Sequence, residues 1–173
     1  MKLVLGVANL NQSYGLNNEK TSEKKSIEII NYSKDKIKYI DTASAYSGFN
    51  NILYKINLEK FKINTKISDI KGKDFNEVYS DINKKINLCL KNYKKKKINI
   101  LFLHRPREIL NKRRGKYIIK SLKKLKQKKI IKQIGFSIYS TSEILVLIKT
   151  YKPDIIQGPF SLFDQRILNS GVL

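Results

Sequence analysis

The fold is indicated by residues 98–104, whose sequence INILFLH is almost entirely apolar. A strand with one face in water alternates apolar and polar residues, whereas a strand covered on both faces reads as a continuous apolar run. Strands of this kind belong to parallel sheets, in which the crossover connections place helices over the sheet. The segment therefore predicts a buried strand of an α/β domain.

The sequence on both sides repeats one unit, a β-rich run followed by a helical pattern. Strands are predicted at residues 3–8, 37–42, 61–66, 98–104, 132–137 and 154–158. Apolar residues at helical spacing predict helices at residues 22–32, 78–93, 117–129 and 142–151. Thr21 or Ser22 is available to cap the first helix, and Thr141 or Ser142 the last. Strict alternation predicts one α/β domain over residues 1–173 with a parallel sheet.

Polar residues at the strand ends favour a closed barrel over an open, doubly wound sheet. No Gly-x-Gly-x-x-Gly follows the first strand, which weakens the doubly wound alternative. In a (β/α)8 TIM barrel the reactive residues lie at the C-terminal ends of the strands. Five successive strands here end in a polar residue, namely Asp41, Lys66, His104, Ser137 and Gln157. Because a complete barrel takes ~250 residues, we expect a TIM barrel truncated after about the sixth strand, from a shortened gene product or a fragment.

The charge of the chain has two explanations. There are 36 Lys+Arg and 14 Asp+Glu, a net charge of +22, and a cationic surface attracts phosphate backbones. Lysine (31 residues), isoleucine (26) and asparagine (16) are enriched together, as in proteins from A/T-rich genomes. Arginine, whose bidentate fork suits phosphate binding, occurs only five times. Coding bias is therefore the favoured explanation, and a nucleic-acid partner is not expected.

Composition also excludes several classes of site. A single cysteine, Cys89, and a single histidine, His104, exclude a disulfide framework and a Cys/His zinc cluster, so no metal is expected. Cys89 lies in an apolar helical seam and is predicted to be a small core residue. Apolar runs such as residues 144–148 are too short to cross a bilayer. We interpret residues 3–8 as the first strand of a cytoplasmic protein and not as a signal peptide.

Four of the polar residues near strand ends could act together as a proton donor. Asp41 and Tyr46 lie five apart where the second strand becomes a loop, and Lys66 and His104 end the next two strands. A phenol with an ordinary pKa of about 10 is a poor acid near neutral pH. A nearby ammonium group lowers the pKa of such a phenol by favouring the phenolate. Asp41 would orient Lys66, and His104 could bind a substrate carbonyl as hydride reaches the carbon.

The chain resembles the aldo-keto reductases, and the matching segments run in the order of that family over essentially the whole chain. They are Leu5-Gly6 with Tyr14-Gly15, YIDTASAY (39–46), INTK (63–66), LFLHRP (101–106), IGFSIY (134–139) and DIIQGPFSLFDQRIL (154–168). The resemblance implies the N-terminal two-thirds of a (β/α)8 barrel, NADPH or NADH as cofactor, and a small-molecule carbonyl substrate. It also implies roles for six residues: a catalytic tetrad of Asp41, Tyr46, Lys66 and His104, with Tyr46 as general acid, and nicotinamide contacts from Ser137 and Gln157.

Four positions depart from the pattern of the family. An acidic residue beyond the tyrosine is replaced by Asn50, an aspartate at the fourth strand by Asn99, and two asparagines by Ile138 and Ser161. The adenosine-phosphate contacts of the family follow its seventh and eighth strands, which these 173 residues do not reach. Two hypotheses therefore stay open: an NAD(P)H-dependent reductase of an aldehyde or ketone, and a non-catalytic barrel fragment, regulatory subunit or polyanion-binding protein.

Overall fold

A computed structural model describes residues 2–13 and 19–171, so Tyr14 and Gly15 of the first matching segment lie outside the described residues. Its strands are β1 (Val4–Gly6), β2 (Tyr39–Asp41), β3 (Lys62–Ile67), β4 (Ile98–Leu103), β5 (Ile131–Ser137) and β6 (Ile155–Gln157). Its α-helices are α1 (Glu23–Ser33), α2 (Ser47–Asn51), α3 (Phe75–Asn92), α4 (Gly115–Gln127), α5 (Thr141–Thr150) and α6 (Arg166–Asn169). Short 3-10 helices cover Leu53–Lys55 and Pro106–Leu110.

The six strands form one parallel sheet in the order β1-β2-β3-β4-β5-β6. A flat sheet would hold β2 and β6 about 19 Å apart, since neighbouring strands are separated by about 4.8 Å. Instead, Nε2 of Gln157 on β6 donates a hydrogen bond of 3.1 Å to Oδ2 of Asp41 on β2. The sheet is therefore curled into part of a barrel, and the predicted (β/α) barrel architecture is confirmed for the six strands.

The curl explains the alternating pattern of β3. Its even-numbered polar residues would face water in a flat sheet, yet Asn64 and Lys66 are each only 4% exposed. They point into the interior of the curled sheet, where Asn99 donates a 2.8 Å hydrogen bond from Nδ2 to Oδ1 of Asn64. Only Lys62, at the start of the strand, is exposed. The polar face of β3 thus lines the inside of the barrel.

The apolar core lies between the outer face of the sheet and the helices. The predicted seams of α3 and α4 are buried there, with Ile82, Ile86 and Leu122 at most 1% exposed. Cys89 in the same seam is buried, as predicted. Even α3, the longest described helix with 18 residues, lacks an apolar window that could cross a bilayer.

Capping residues were predicted for the starts of α1 and α5, and the prediction is confirmed for α1 only. Ser22 caps α1 by accepting from the Lys25 N–H at 3.2 Å, as one of the two predicted alternatives. For α5 the prediction of Thr141 or Ser142 was wrong, because the N-cap is Ser140 and its side chain makes no capping bond. Ser140 Oγ pairs with Ser142 Oγ at 3.1 Å instead, and Glu143 accepts from the main chain of Tyr139 at 3.4 Å.

A glycine on β5 makes room for an aromatic ring inside the barrel. A Cβ atom at Gly135 would lie 2.3 Å from Cδ1 of Phe102, its register partner on β4, and 2.9 Å from Cγ2 of Ile155. Separations below 3 Å cannot be accommodated without moving the ring. Gly135 therefore allows Phe102 to lie in the lumen, beneath the ends of β2 and β3.

Candidate functional site

The residues predicted for the site lie at one end of the sheet. Asp41, Ser137 and Gln157 are the last residues of β2, β5 and β6, Lys66 is next to last in β3, and His104 directly follows β4. Parallel strands all end on the same side, so the sequence positions alone bring these five side chains to one rim.

Asp41 and Lys66 form a nearly buried ion pair at this rim. Nζ of Lys66 lies 2.5 Å from Oδ2 of Asp41, and the two side chains are 4% and 14% exposed, respectively. Nζ also donates to the main-chain oxygen of Thr42 at 3.4 Å. An ammonium group removed from water requires such partners, because an unpaired buried charge is strongly unfavourable. The pair therefore fixes a positive charge at a defined place at the mouth of the barrel.

Two aromatic rings enclose the same ammonium group. Nζ of Lys66 lies 5.6 Å from the ring centroid of Tyr46 and 5.8 Å from that of Phe102. Cations are attracted to the faces of aromatic rings within about 6 Å. The predicted closeness of Tyr46 and Lys66 is thus present, while Phe102 was not predicted. In the sequence Phe102 is one residue of an apolar run, and only the β3–β4 register of the structure places it opposite Lys66.

A cavity of about 240 Å³ opens beside the ion pair. Five of the six predicted site residues line it, namely Asp41, Tyr46, Lys66, Ser137 and Gln157. His104 is not among the lining residues, although it is near enough for the charges of Lys66 and Asp41 to act on its pKa. The cavity is large enough for part of a small molecule and lies against every predicted group except the imidazole.

Two buried oxygen atoms of residues that line the cavity have no hydrogen-bond donor within the described part of the chain. They are Oε1 of Gln157 and Oδ1 of Asp41. The main-chain N–H of Ile138 donates to the main-chain oxygen of Gln157 at 2.8 Å and so holds that residue in place. Buried acceptors without donors are costly, and a ligand that carries N–H groups removes the cost. A carboxamide such as that of nicotinamide fits this requirement, with Ser137 as a further hydroxyl partner.

The loop that carries Tyr46 is fastened by residues that sequence reasoning missed. The main-chain N–H and the hydroxyl of Ser44 both donate to the main-chain oxygen of Lys66 at 3.2 Å. Asn50, noted above only as a departure, donates from Nδ2 to the Ser44 oxygen at 3.2 Å. Oε1 of Gln12 accepts from the Gly48 N–H at 2.7 Å at the start of α2. The Ser44 bonds tie the tyrosine loop to the strand that carries the lysine, and the Gln12 bond ties it to the segment after β1.

Burial lowers the pKa of His104 below its ordinary value, and the positive charges of Lys66 and Arg105 lower it further. The carboxylates of Asp41 and Asp69 act in the opposite direction and do not cancel these effects. The imidazole is therefore neutral at neutral pH. A neutral imidazole can donate one N–H to a carbonyl oxygen without bringing a further charge next to Lys66.

The lowered pKa of His104 predicts a loss of stability on acidification. Just below the ordinary pKa of a histidine the unfolded chain binds a proton that the folded chain does not, so stability falls as the pH falls. We expect the free energy of unfolding of the wild type to decrease relative to His104→Gln between pH 7.5 and pH 5.5, measured by urea denaturation. His104 is the only histidine, so no other imidazole contributes. Equal losses in the two proteins would contradict the prediction.

Comparison with known proteins identifies the relatives of this chain. The sequence model described as the Aldo/keto reductase family matches residues 2–173. No curated protein sequence matches.

Solved structures with the same fold are more distant in sequence. An aldo-keto reductase of Bacillus halodurans in its holo form is 19% identical, with 97% of this chain and 56% of that chain covered at a TM-score of 0.70. A glycerol dehydrogenase of Gluconobacter oxydans is 21% identical, with 96% of this chain and 53% of that chain covered at a TM-score of 0.68. A silkworm aldo-keto reductase complexed with NADPH is 16% identical, with 91% of this chain and 50% of that chain covered at a TM-score of 0.63. The chain spans about half the length of these three proteins.

Proposed function

The chain belongs to the aldo/keto reductase family, and from that premise we propose that it is an NAD(P)H-dependent oxidoreductase that reduces an aldehyde or ketone to an alcohol. The observation that carries the proposal is the buried Asp41–Lys66 ion pair beside the Tyr46 ring and the 240 Å³ cavity. A fixed ammonium group next to a phenol is the arrangement that an acid for a carbonyl oxygen requires.

Tyr46 is the proposed general acid. As negative charge develops on the carbonyl oxygen, the phenol transfers its proton to that oxygen, and the alcohol forms. The phenolate left behind is stabilised by the ammonium group of Lys66, which Asp41 holds in position. His104, neutral near pH 7, orients the carbonyl by donating an N–H to its oxygen. Bulk water later returns a proton to Tyr46.

Ser137 and Gln157 are the proposed partners of the nicotinamide carboxamide. Nε2 of Gln157 is already bonded to Asp41, so Oε1 is the atom left to accept from the carboxamide N–H. The Ser137 hydroxyl can donate to the carboxamide oxygen from the same cavity wall. When bound, the nicotinamide cofactor supplies the hydride. The chain's part is to hold that ring against the tetrad.

Cofactor binding tests the proposal. The purified chain is titrated with NADPH and with NADH while nucleotide fluorescence is followed, and a panel of aldehydes and ketones is then added while nucleotide absorbance is recorded. We expect saturable binding of one nucleotide and carbonyl-dependent oxidation. Absence of binding by both nucleotides would overturn the proposal in favour of the non-catalytic alternative.

Gln157→Leu is expected to weaken cofactor binding about tenfold, which corresponds to about 1.4 kcal/mol. Leucine retains the approximate size of the side chain but cannot accept the carboxamide N–H or donate to Asp41. The matched control is Gln127→Leu on α4, which is exposed and does not line the cavity. If the two variants bind NADPH equally well, Gln157 has no role in holding the cofactor.

A further inference from the structure

A row of lysines runs along α4 and onto the residue that directly follows it, on the helix layer outside the sheet. It consists of Lys116, Lys120, Lys124 and Lys128, at intervals of four residues, and we call it the lysine row. Residues four apart lie on nearly the same side of a helix. Each step advances about 6 Å at 1.5 Å per residue. The row therefore presents four positive charges at even steps along the helix axis, each step turned by about 40° around it.

The positive charge of this segment is not balanced locally. Residues 112–129 contain ten Lys or Arg and no Asp or Glu, whereas the whole chain has 36 Lys+Arg in 173 residues. Within the described part of the chain, Lys126 is the one cation of this segment that forms an ion pair, with Asp154. Coding bias enriches lysine along the whole chain, but it does not concentrate lysine in one unpaired row.

Two aromatic rings of α3 hold the ammonium groups of the row. Phe75 and Tyr79 are stacked, with their centroids 5.9 Å apart. Nζ of Lys120 lies 4.5 Å from the Phe75 centroid, and Nζ of Lys124 lies 4.6 Å from the Tyr79 centroid. Lys128 is 5.8 Å from the Tyr79 centroid. Because cations are attracted to ring faces, the charges of the row are partly ordered before any ligand arrives.

The row borders an open groove of about 690 Å³ between α3 and α4. The groove is lined by four lysines and three other residues, namely Lys116, Lys120, Lys123 and Lys124 with Phe75, Ile119 and Gln127. A groove with positive charge along its length and aromatic rings beside it is typical of sites for single-stranded nucleic acid. The ligand must also carry negative charge at regular intervals, as a phosphodiester chain does. Acidic protein segments place their carboxylates irregularly and match an even row less well.

We propose that the lysine row binds the phosphodiester backbone of single-stranded RNA. This inference is independent of carbonyl reduction, because α4 packs on the outside of the sheet while the rim residues lie at the strand ends. Since the contacts are made to phosphates and not to base edges, binding is independent of base sequence and strongly dependent on salt.

The test is fluorescence anisotropy with a labelled 12-nucleotide oligouridylate at 50 and 200 mM salt. Four phosphate contacts predict a slope of log K against log salt of about −2.8, so that affinity falls about 50-fold over this range. Lys120→Gln/Lys124→Gln removes two phosphate contacts, so the slope should change to about −1.4. The affinity for the RNA at 50 mM salt should fall by about tenfold or more. The control Lys24→Gln/Lys91→Gln makes the same change in net charge at exposed positions away from the row.

Three results would each overturn the proposal. The first is the absence of a saturable anisotropy change at 50 mM salt. The second is an equal loss of RNA affinity in the row variant and the control variant. The third is displacement of the labelled RNA by polyaspartate as effectively as by unlabelled RNA of the same charge. Circular dichroism verifies that the variants are folded. NADPH binding by the row variant should match the wild type, so a failure of RNA binding is distinguished from a failure of the proposed reductase activity.

Discussion

Tyr46→Phe is expected to lower kcat for carbonyl reduction by about 10²- to 10⁴-fold, the range that a positioned general acid contributes. The phenylalanine ring keeps the face that lies 5.6 Å from Nζ of Lys66, so the packing of the ammonium group is retained. What disappears is the hydroxyl, and with it the proposed proton donor. The dissociation constant of NADPH should stay unchanged, because the proposed carboxamide partners are Ser137 and Gln157.

Tyr139→Phe provides the matched control for this experiment. Tyr139 lines the same 240 Å³ cavity, but its side chain is 65% exposed, and the rings that Lys66 Nζ approaches are those of Tyr46 and Phe102. We expect this variant to reduce carbonyls at the wild-type rate, measured by steady-state oxidation of NADPH. Loss of activity in Tyr139→Phe together with retention in Tyr46→Phe would transfer the acid role to Tyr139. Retention in both variants would exclude a phenol as the proton donor.

The sequence was sufficient to predict the sheet because parallel strands produce a strong local signal. The apolar run of β4 requires cover on both faces. That run and the strand–helix alternation together predicted six strands, and every predicted strand end lies within two residues of the end in the structure. The placement of Asp41, Lys66 and Gln157 at one rim followed from the same reasoning, since every strand of a parallel sheet ends on the same side.

What could not be predicted depends on contacts between distant segments or on very short elements. The helix α2 has five residues, too few for a helical period to be visible, and its start is fastened by Gln12, 36 residues earlier than Gly48. The hydrogen bond between Gln157 and Asp41 spans 116 residues and exists only because the sheet curls. The polar residues Asn64 and Lys66 alternate with Ile63 and Thr65 along β3, but the pattern alone does not show that the polar face lies inside the barrel.

The Asp41–Lys66 pair should have the largest effect on stability of any pair at the rim. Asp41→Leu removes the carboxylate partner of the Lys66 ammonium, which is 4% exposed, and leaves the hydrogen bond of 3.4 Å to the Thr42 oxygen. Removing one member of a buried ion pair costs about 3–5 kcal/mol. Lys66→Met should cost less than Asp41→Leu, because Asp41 is more exposed and keeps the hydrogen bond from Gln157. Free energies of unfolding are measured in urea at pH 7.

The double variant Asp41→Leu/Lys66→Met separates pairing from packing. It leaves no unpaired charge, so it should regain most of the stability lost in each single variant. We expect it to lose the proposed carbonyl reduction, because both proposed catalytic groups are removed. A matched double-mutant cycle uses Asp35→Leu and Lys60→Met at a surface ion pair whose side chains are 60% and 65% exposed. The coupling free energy between these two exposed side chains is expected to be about 0.2–1 kcal/mol. Where a single variant at the rim does not fold, recovery of folding in the double variant gives the same information. Equal coupling in the two cycles would mean that the rim pair is solvated, and Lys66 would then lack the fixed charge that the proposed phenol chemistry requires.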